Sequence, residues 1–477
     1  MLRKIFLIIT ATTACLLSQT NYPEINEQIN KGNFSAAQSL IKIKLNDESL
    51  AETEKYDLLF QIEVMNRIRK DFTRTRDYVI NALKKYYPAL TDEMLLAWEN
   101  DNSLEMKIID GEKKYFTNTV SNLFRINKEA KKQKEKVDGV KKDDLEAFLA
   151  DYIPGVIKAA NETNSRFVLP VKMKIKYTLA VKSNVVPEGE VIRCWLPYPK
   201  ELNPRQSNIQ LLGVNKNEYI IADDKNLQRT IYLEGTAVKD QPTKFEMELI
   251  YTSKAEYINL SEGMQTITFN QDQKIFSEYT KEEYPHIVFS GRIKKLSEQI
   301  LGNEQNPLQK LKKIFTWVDE NTPWASAREY STIPNIAEYS LEQKHGDCGI
   351  QTIVFMTLCR YNGIPAKWQS GWMMHPPEIN LHDWCEIYID GYGWIPVDQS
   401  FGIKNYLNDS QKYFYLGSID AYRLIVNDDI SKPLFPAKIF PRSETVDFQR
   451  GEVEWRGGNL YFDKWNYNME VKWFDKD

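Results

Sequence analysis

Cys348, His382 and Asp398 are the residues of this 477-residue chain whose types and spacing carry chemistry. Cys348 stands in His345-Gly-Asp-Cys-Gly-Ile-Gln-Thr352 and His382 in Leu381-His-Asp-Trp-Cys-Glu-Ile-Tyr-Ile389. Asp398 closes Gly393-Trp-Ile-Pro-Val-Asp398. A thiolate nucleophile, an imidazole base and a carboxylate that orients the imidazole are the parts of a thiol acyl-transfer site.

These residues need a helix and a hairpin to position them. The run from Cys348 to Arg360 reads as a helix stopped near Gly363 and Pro365. Asp347 precedes it as an N-cap. Cys348 then lies in the first turn, where the helix dipole and free amides favour a thiolate and can hold an oxyanion. Cys359 follows about three turns later in the apolar part of the helix and reads as a buried structural thiol. From His382 the sequence alternates as a strand, with His382, Trp384, Glu386 and Tyr388 on one side. Cys385, Ile387 and Ile389 face the other side, toward a core. Asp390-Gly-Tyr-Gly393 turns the chain back. His382 and Asp398 share a face only if that loop has an odd number of residues. A three-residue loop with a bulge does this, with Gly391 or Gly393 at positive φ. Taken singly, Cys348 reads as a small buried hydrophobe, His382 as a core or surface histidine, and Asp398 as a turn residue. Their order and spacing together favour the site. His345 is a loop histidine that can line the cleft, His375 sits in a loop beside it, and His286 lies outside the segment.

The segment from about 307 to 400 resembles the core of the transglutaminase-like (papain-like thiol) superfamily. The motifs are Gly346-Asp-Cys348, Leu358-Cys-Arg-Tyr-Asn-Gly-Ile-Pro-Ala366, Gly371, His382-Asp-Trp-Cys-Glu386 and Gly393-Trp-Ile-Pro-Val-Asp398. The resemblance implies Cys348 as nucleophile, His382 as base and Asp398 as orienting acid. It also implies an aromatic residue ahead of the cysteine that helps form the oxyanion hole, for which Trp324 is the candidate and Tyr330 the second. Gln399-Ser400 replaces the commoner Pro-Thr after the aspartate. No acidic cluster points to calcium, and neither metal nor cofactor is expected. Trp195-Leu-Pro-Tyr-Pro199 resembles the β-sandwich that often precedes this core in bacterial members.

The length suggests about three domains. A formal net charge of −4, with no basic stripe, gives no argument for nucleic acid. Basic Met1-Leu-Arg-Lys4 precedes an apolar run from Ile5 to Leu17, the pattern of a secretory signal over residues 1–18. That run of about 13 residues falls short of the ~20 that span a bilayer. Thr12-Thr-Ala-Cys15 resembles a lipobox without its usual leucine, so cleavage near Ser18 and lipidation at Cys15 both stay open. Either route gives an exported protein, periplasmic or at the cell surface, with a lipid anchor at Cys15 as its only tie to the membrane. Cys194, Cys348, Cys359 and Cys385 are too few for a disulfide scaffold.

Residues 19–165 read as a helical domain without a convincing 34-residue repeat. Within it, Lys128 to Asp144 is a solvated helix face or linker. Residues 166–262 alternate and are punctuated by turns, which predicts a β-sandwich. Residues 263–420 form the thiol-enzyme core, and 421–477 are a C-terminal β extension whose strands complete that core. In the helix Pro307–Asn321, Leu311, Ile314, Phe315 and Val318 share a face, with Asn306 as its cap. The expected architecture is therefore multidomain α+β. The expected function is attack of Cys348 on an amide in a protein or peptide, including cell-envelope material, through a thioester. Hydrolysis is preferred to cross-linking transamidation. A catalytically idle surface protein that uses the core as a binding scaffold is the alternative from another class.

Overall fold

The computed structural model describes residues 20–260, 274–409 and 411–474. The signal over 1–18, Cys15 and the first residues of the core from 263 lie outside them.

The N-terminal layer contains α1 (Pro23–Asn30), α2 (Phe34–Lys44), α3 (Glu52–Asp71), α4 (Arg76–Leu83) and α5 (Asp92–Asn100). A hairpin of β1 (Met106–Ile109) and β2 (Glu112–Tyr115) interrupts the helices before α6 (Thr119–Ile126), α7 (Lys128–Asp138) and α8 (Asp144–Thr163). The hairpin was not expected in a helical domain. Its signal is Asp110-Gly111, both at positive φ between the closing pair Ile109 and Glu112, the residues a tight two-residue turn requires. Of α7 only Ala130 is buried, so the charged run is a solvated helix.

The next elements are β3 (Phe167–Val181), β4 (Val191–Pro197), β5 (Gln206–Val214), β6 (Tyr219–Ile221), β7 (Thr230–Thr236) and β8 (Thr243–Glu256). After them come α9 (Lys274–Tyr279), α10 (Gly291–Leu301), α11 (Pro307–Asn321), α12 (Ile336–Gln343) and α13 (Cys348–Tyr361). The chain then forms β9 (Ala366–His375), β10 (Glu378–Ile389), β11 (Gly393–Val397) and β12 (Arg423–Asp428). It ends with β13 (Glu452–Trp455), β14 (Gly458–Asn459) and β15 (Trp465–Phe474).

Three larger antiparallel sheets result, with strand orders β14-β13-β4-β7-β6, β15-β3-β8-β5 and β11-β10-β9-β12. The first two make the sandwich. Ile175, Tyr177 and Leu179 of β3 and Leu249 and Tyr251 of β8 share one core with Ile192 and Cys194 of β4 and Leu233 of β7. The C-terminal strands correct the sequence reading. β13 pairs with β4 and β15 with β3, so they complete the sandwich, and only β12 joins the enzyme-like sheet, beside β9. Alternation fixes which face of a strand is buried but does not choose its partner. The third sheet is tied to the sandwich as well, because Trp372 and Met374 of β9 and Leu424 and Val426 of β12 belong to the sandwich core.

Against the third sheet lies α13, buried from Gly349 to Arg360 and packed against α10, α11, α12, β9 and β10. Its apolar neighbours include Leu311, Ile314, Phe315 and Val318 of α11. Asn306 caps α11, its Oδ1 accepting the Gln309 N–H at 3.1 Å with Pro307 at the first position. The helical layer grips the segment ahead of α13. Asn122 Nδ2 donates to the Ser326 carbonyl at 2.8 Å, and Ser326 N–H donates to Asn122 Oδ1 at 3.0 Å. Arg328 pairs with Glu105 at 3.1 Å, and the Thr332 hydroxyl donates to Asp71 Oδ2 at 3.0 Å.

Candidate active site

Cys348 is the first residue of α13. Asp347 caps the helix, its Oδ1 accepting the Ile350 N–H at 3.1 Å. The Cys348 amide therefore stands where a helix offers no internal acceptor. All four described cysteines are free, so Cys359 and Cys385 are not bridged, and Cys359 is fully buried.

The hairpin that carries the histidine and aspartate has three loop residues, Asp390, Gly391 and Tyr392, closed by the pair Ile389–Gly393. Gly391 and Gly393 both take positive φ, the conformation the loop demands of them. This odd length puts His382 and Asp398 on one face. His382 Nε2 lies 2.8 Å from Asp398 Oδ2, with the carboxylate fully buried and the histidine 4% exposed. Asp398 Oδ1 accepts the amides of Ser400 and Phe401, each at 3.1 Å. Phe401, just past the unusual Gln399-Ser400, sets its ring edgewise to the imidazole at 5.1 Å. Burial pushes the Asp398 carboxyl up, but the His382 and Arg423 charges outweigh it and leave it below the usual range. Burial also lowers His382, more than Asp398 raises it, so the imidazole is neutral near pH 7.

Sequence reasoning missed what stands behind Asp398. Arg423 Nη1 lies 2.9 Å from Asp398 Oδ2, and its Nη2 donates to Asp420 Oδ2 at 2.7 Å. Asp420 Oδ1 in turn lies 2.9 Å from His375 Nε2. Arg423, Asp420 and His375 are all fully buried. The Arg423 guanidinium also covers the Phe401 ring at 4.2 Å. An arginine inside the apolar run Tyr422-Arg-Leu-Ile-Val426 was the available signal, since an unpaired arginine is almost never buried. His375, expected in a loop, ends β9 instead. The expected loop residue His345 is fully buried, both ring nitrogens lacking partners, and burial pushes it down to about 4. His286 is buried far along the chain and is likewise pushed to about 4.

The surroundings of the thiol differ from the expectation of a helix-start thiolate. Among the described residues Cys348 Sγ donates to Asp383 Oδ2 at 3.5 Å, and no hydrogen bond joins it to His382. Burial, then the Asp383 and Asp347 carboxyls, hold the thiol well above its ordinary value. Burial with two acidic neighbours outweighs a helix start that favours ionisation. Of the two aromatic candidates, Trp324 pairs its backbone with Gly346, while its ring is 41% exposed under the Arg125 guanidinium at 4.7 Å. Tyr330 reaches the site, its hydroxyl donating to Asp347 Oδ1 at 2.8 Å and lying 3.2 Å from Asp383 Oδ2.

Residues 294–399 match the model of the transglutaminase-like superfamily and form a domain of that kind. An uncharacterised protein of Haemophilus influenzae is 26% identical over 251 residues, which span 45% of this chain and 66% of that protein. The uncharacterised protein YebA of Bacillus subtilis is 23% identical over 177 residues, 30% of this chain and 24% of its own length. The chain thus spans less than two thirds of the length of either relative. Among solved structures, a "putative cysteine protease" from Cytophaga hutchinsonii aligns at 17% identity and a TM-score of 0.44. The alignment covers 65% of this chain and 93% of that one. The periplasmic domain of TgpA from Pseudomonas aeruginosa aligns at 11% identity and a TM-score of 0.26, covering 51% and 91%.

Proposed function

We propose that the transglutaminase-like domain of this chain is a thiol acyl-transfer enzyme with Cys348 as nucleophile, His382 as base and Asp398 as orienting acid. The observation that carries this reading is the buried 2.8 Å contact of His382 Nε2 with Asp398 Oδ2, which holds the imidazole in one orientation. A carboxylate at Nε2 keeps the ring proton there and leaves Nδ1 as the basic nitrogen.

In the proposed reaction Nδ1 takes the Cys348 proton as Sγ adds to an amide carbonyl carbon. The C=O electron pair moves to oxygen, which the Cys348 amide at the helix start can hold. Collapse breaks the C–N bond, the leaving amine takes the proton from His382, and a thioester remains. Water then gives a proton to Nδ1 and adds to the thioester carbonyl, and Sγ leaves and is reprotonated. An amine in place of water makes the same protein a cross-linking transamidase. Hydrolysis is the preferred outcome, through resemblance to bacterial members. Substrates are proteins or peptides, cell-envelope material included, and the basic-apolar start of the chain supports export, with Cys15 as the residue for a lipid anchor. Trp324 and Tyr330 remain the proposed aromatic neighbours of the oxyanion.

One observation favours the idle-scaffold reading: the thiol is held protonated against Asp383. Incubation of the purified protein with a peptide library, with and without a primary amine, separates the readings. Cleaved peptides support hydrolysis and amine-modified glutamines support transamidation. Either activity, if it persisted in Cys348→Ala, would sink the assignment, and neither activity with wild-type protein would favour the scaffold.

A further inference from the structure

We propose that Asp383 is a positioning residue for Cys348: its carboxyl accepts the thiol's hydrogen bond and parks the sulfur in its protonated form on the α13 side of β10. The inference rests on the reading of Cys348 as the nucleophile.

Asp383 and His382 are consecutive on β10, so their side chains leave the strand on opposite sides. The thiol is bonded on the Asp383 side, at 3.5 Å. The Asp383 carboxyl is itself held from two sides by Tyr330 and Gln449. Tyr330 Oη lies 3.2 Å from Oδ2, Gln449 Nε2 donates to Oδ1, and the same Gln449 nitrogen donates to the His382 carbonyl at 2.8 Å. The helix start is shaped to admit this group. A Cβ on Gly349 would stand 2.1 Å from Tyr330 Oη and 2.8 Å from Asp383 Oδ2, so only glycine lets both approach.

The charged and titratable groups around Asp383 are mostly acidic. Asp347 faces it from the cap of α13 and Cys348 from its first residue, and Tyr330, with Glu329 behind it, from the turn before α12. Glu444 and Asp447 approach from the segment before β13, where Arg450 pairs with Glu329 at 3.0 Å. His382 is the basic neighbour on its own strand. Burial, then Asp347, push the Asp383 carboxyl well above the usual range. Ionising the sulfur there would add a negative charge to a crowd of acids.

Alkylation of Cys348 by iodoacetamide, read by peptide mass spectrometry across the pH range, tests the role. Asp383→Asn keeps the shape, bears no charge and can turn a donor toward sulfur. The expected result is a lower pH midpoint for labelling, and the rate at neutral pH rises about tenfold for every pH unit by which that midpoint falls. An unchanged or higher midpoint in folded Asp383→Asn overturns the proposal, because a merely structural role would lower stability without moving the profile. Should that variant not fold, the S–H stretching band of wild-type protein, assigned by its loss in Cys348→Ser, serves instead. A hydrogen-bonded frequency is expected, and a free-thiol frequency overturns it. Activity retained in Cys348→Ala would end the proposed function. Activity that needs Cys348 and His382, with Asp383→Asn labelling like wild type, would end only the parking role.

Discussion

Arg423 and His382 meet on a single oxygen, Nη1 of the first at 2.9 Å and Nε2 of the second at 2.8 Å from Asp398 Oδ2. The arginine keeps the carboxylate ionised even while the imidazole is neutral, and so keeps the ring in one tautomer and one orientation. The same guanidinium binds Asp420, so one cation serves two buried acids.

Removal of Arg423 leaves Asp398 and Asp420 buried without their common partner. Arg423→Leu is expected to cost about 3–5 kcal/mol, as for other broken buried pairs. Arg423→Lys restores one charge but not the fork, and is expected to fall between the two. Urea unfolding of the three proteins measures this; equal midpoints for wild type and Arg423→Leu would contradict it.

Buried His345 gives an acid-side instability whose sign can be worked out. Its pKa falls from about 6.5 unfolded to about 4 folded. Between those values the unfolded chain holds more protons, so stability falls as pH is lowered through that window. The difference corresponds to about 3 kcal/mol. His286 acts in the same sense. Asp347, raised to about 6, and Asp71, raised to about 7, act in the opposite sense, losing stability as pH rises toward those values. His345→Phe, which cannot titrate, is expected to gain stability relative to wild type as pH drops from about 6.5 to about 4. Thermal unfolding at the two ends checks it, and a gap independent of pH would contradict it.

Gly349 fixes the close approach of Tyr330 and Asp383 to the helix start. Gly349→Ala is expected to cost about 1–3 kcal/mol, the range for overpacking, despite alanine being the better helix former. Denaturant unfolding compared with the isosteric relief Gly349→Ala/Tyr330→Phe checks the cause. Partial recovery is expected, because the phenol oxygen is the nearest atom, and no recovery would put the strain elsewhere.

Local chemistry was legible in the sequence where neighbours in the chain decide it. Asp347 caps the helix it precedes, the α11 face follows from its spacing, and the loop that puts His382 over Asp398 follows from counting residues between two strands. Partners that lie far along the chain were not legible. Nothing in the alternation of residues 465–474 says that they pair with 167–181 rather than with a nearer strand. Arg423, Asp420 and the Asp383–Tyr330 contact belong to the site only through tertiary packing. The Asp110-Gly111 hairpin is a different case, since its turn residues were in view and helical context overrode them.

The most direct test of the Cys348, His382 and Asp398 assignment is intact-protein and peptide mass spectrometry after brief exposure to an activated ester such as p-nitrophenyl acetate. A single acyl adduct on Cys348 as a thioester is expected, absent in Cys348→Ala and formed on the order of a hundredfold more slowly in His382→Ala, the usual contribution of a general base. Acylation elsewhere, or at Cys348 with a rate indifferent to His382, would contradict it.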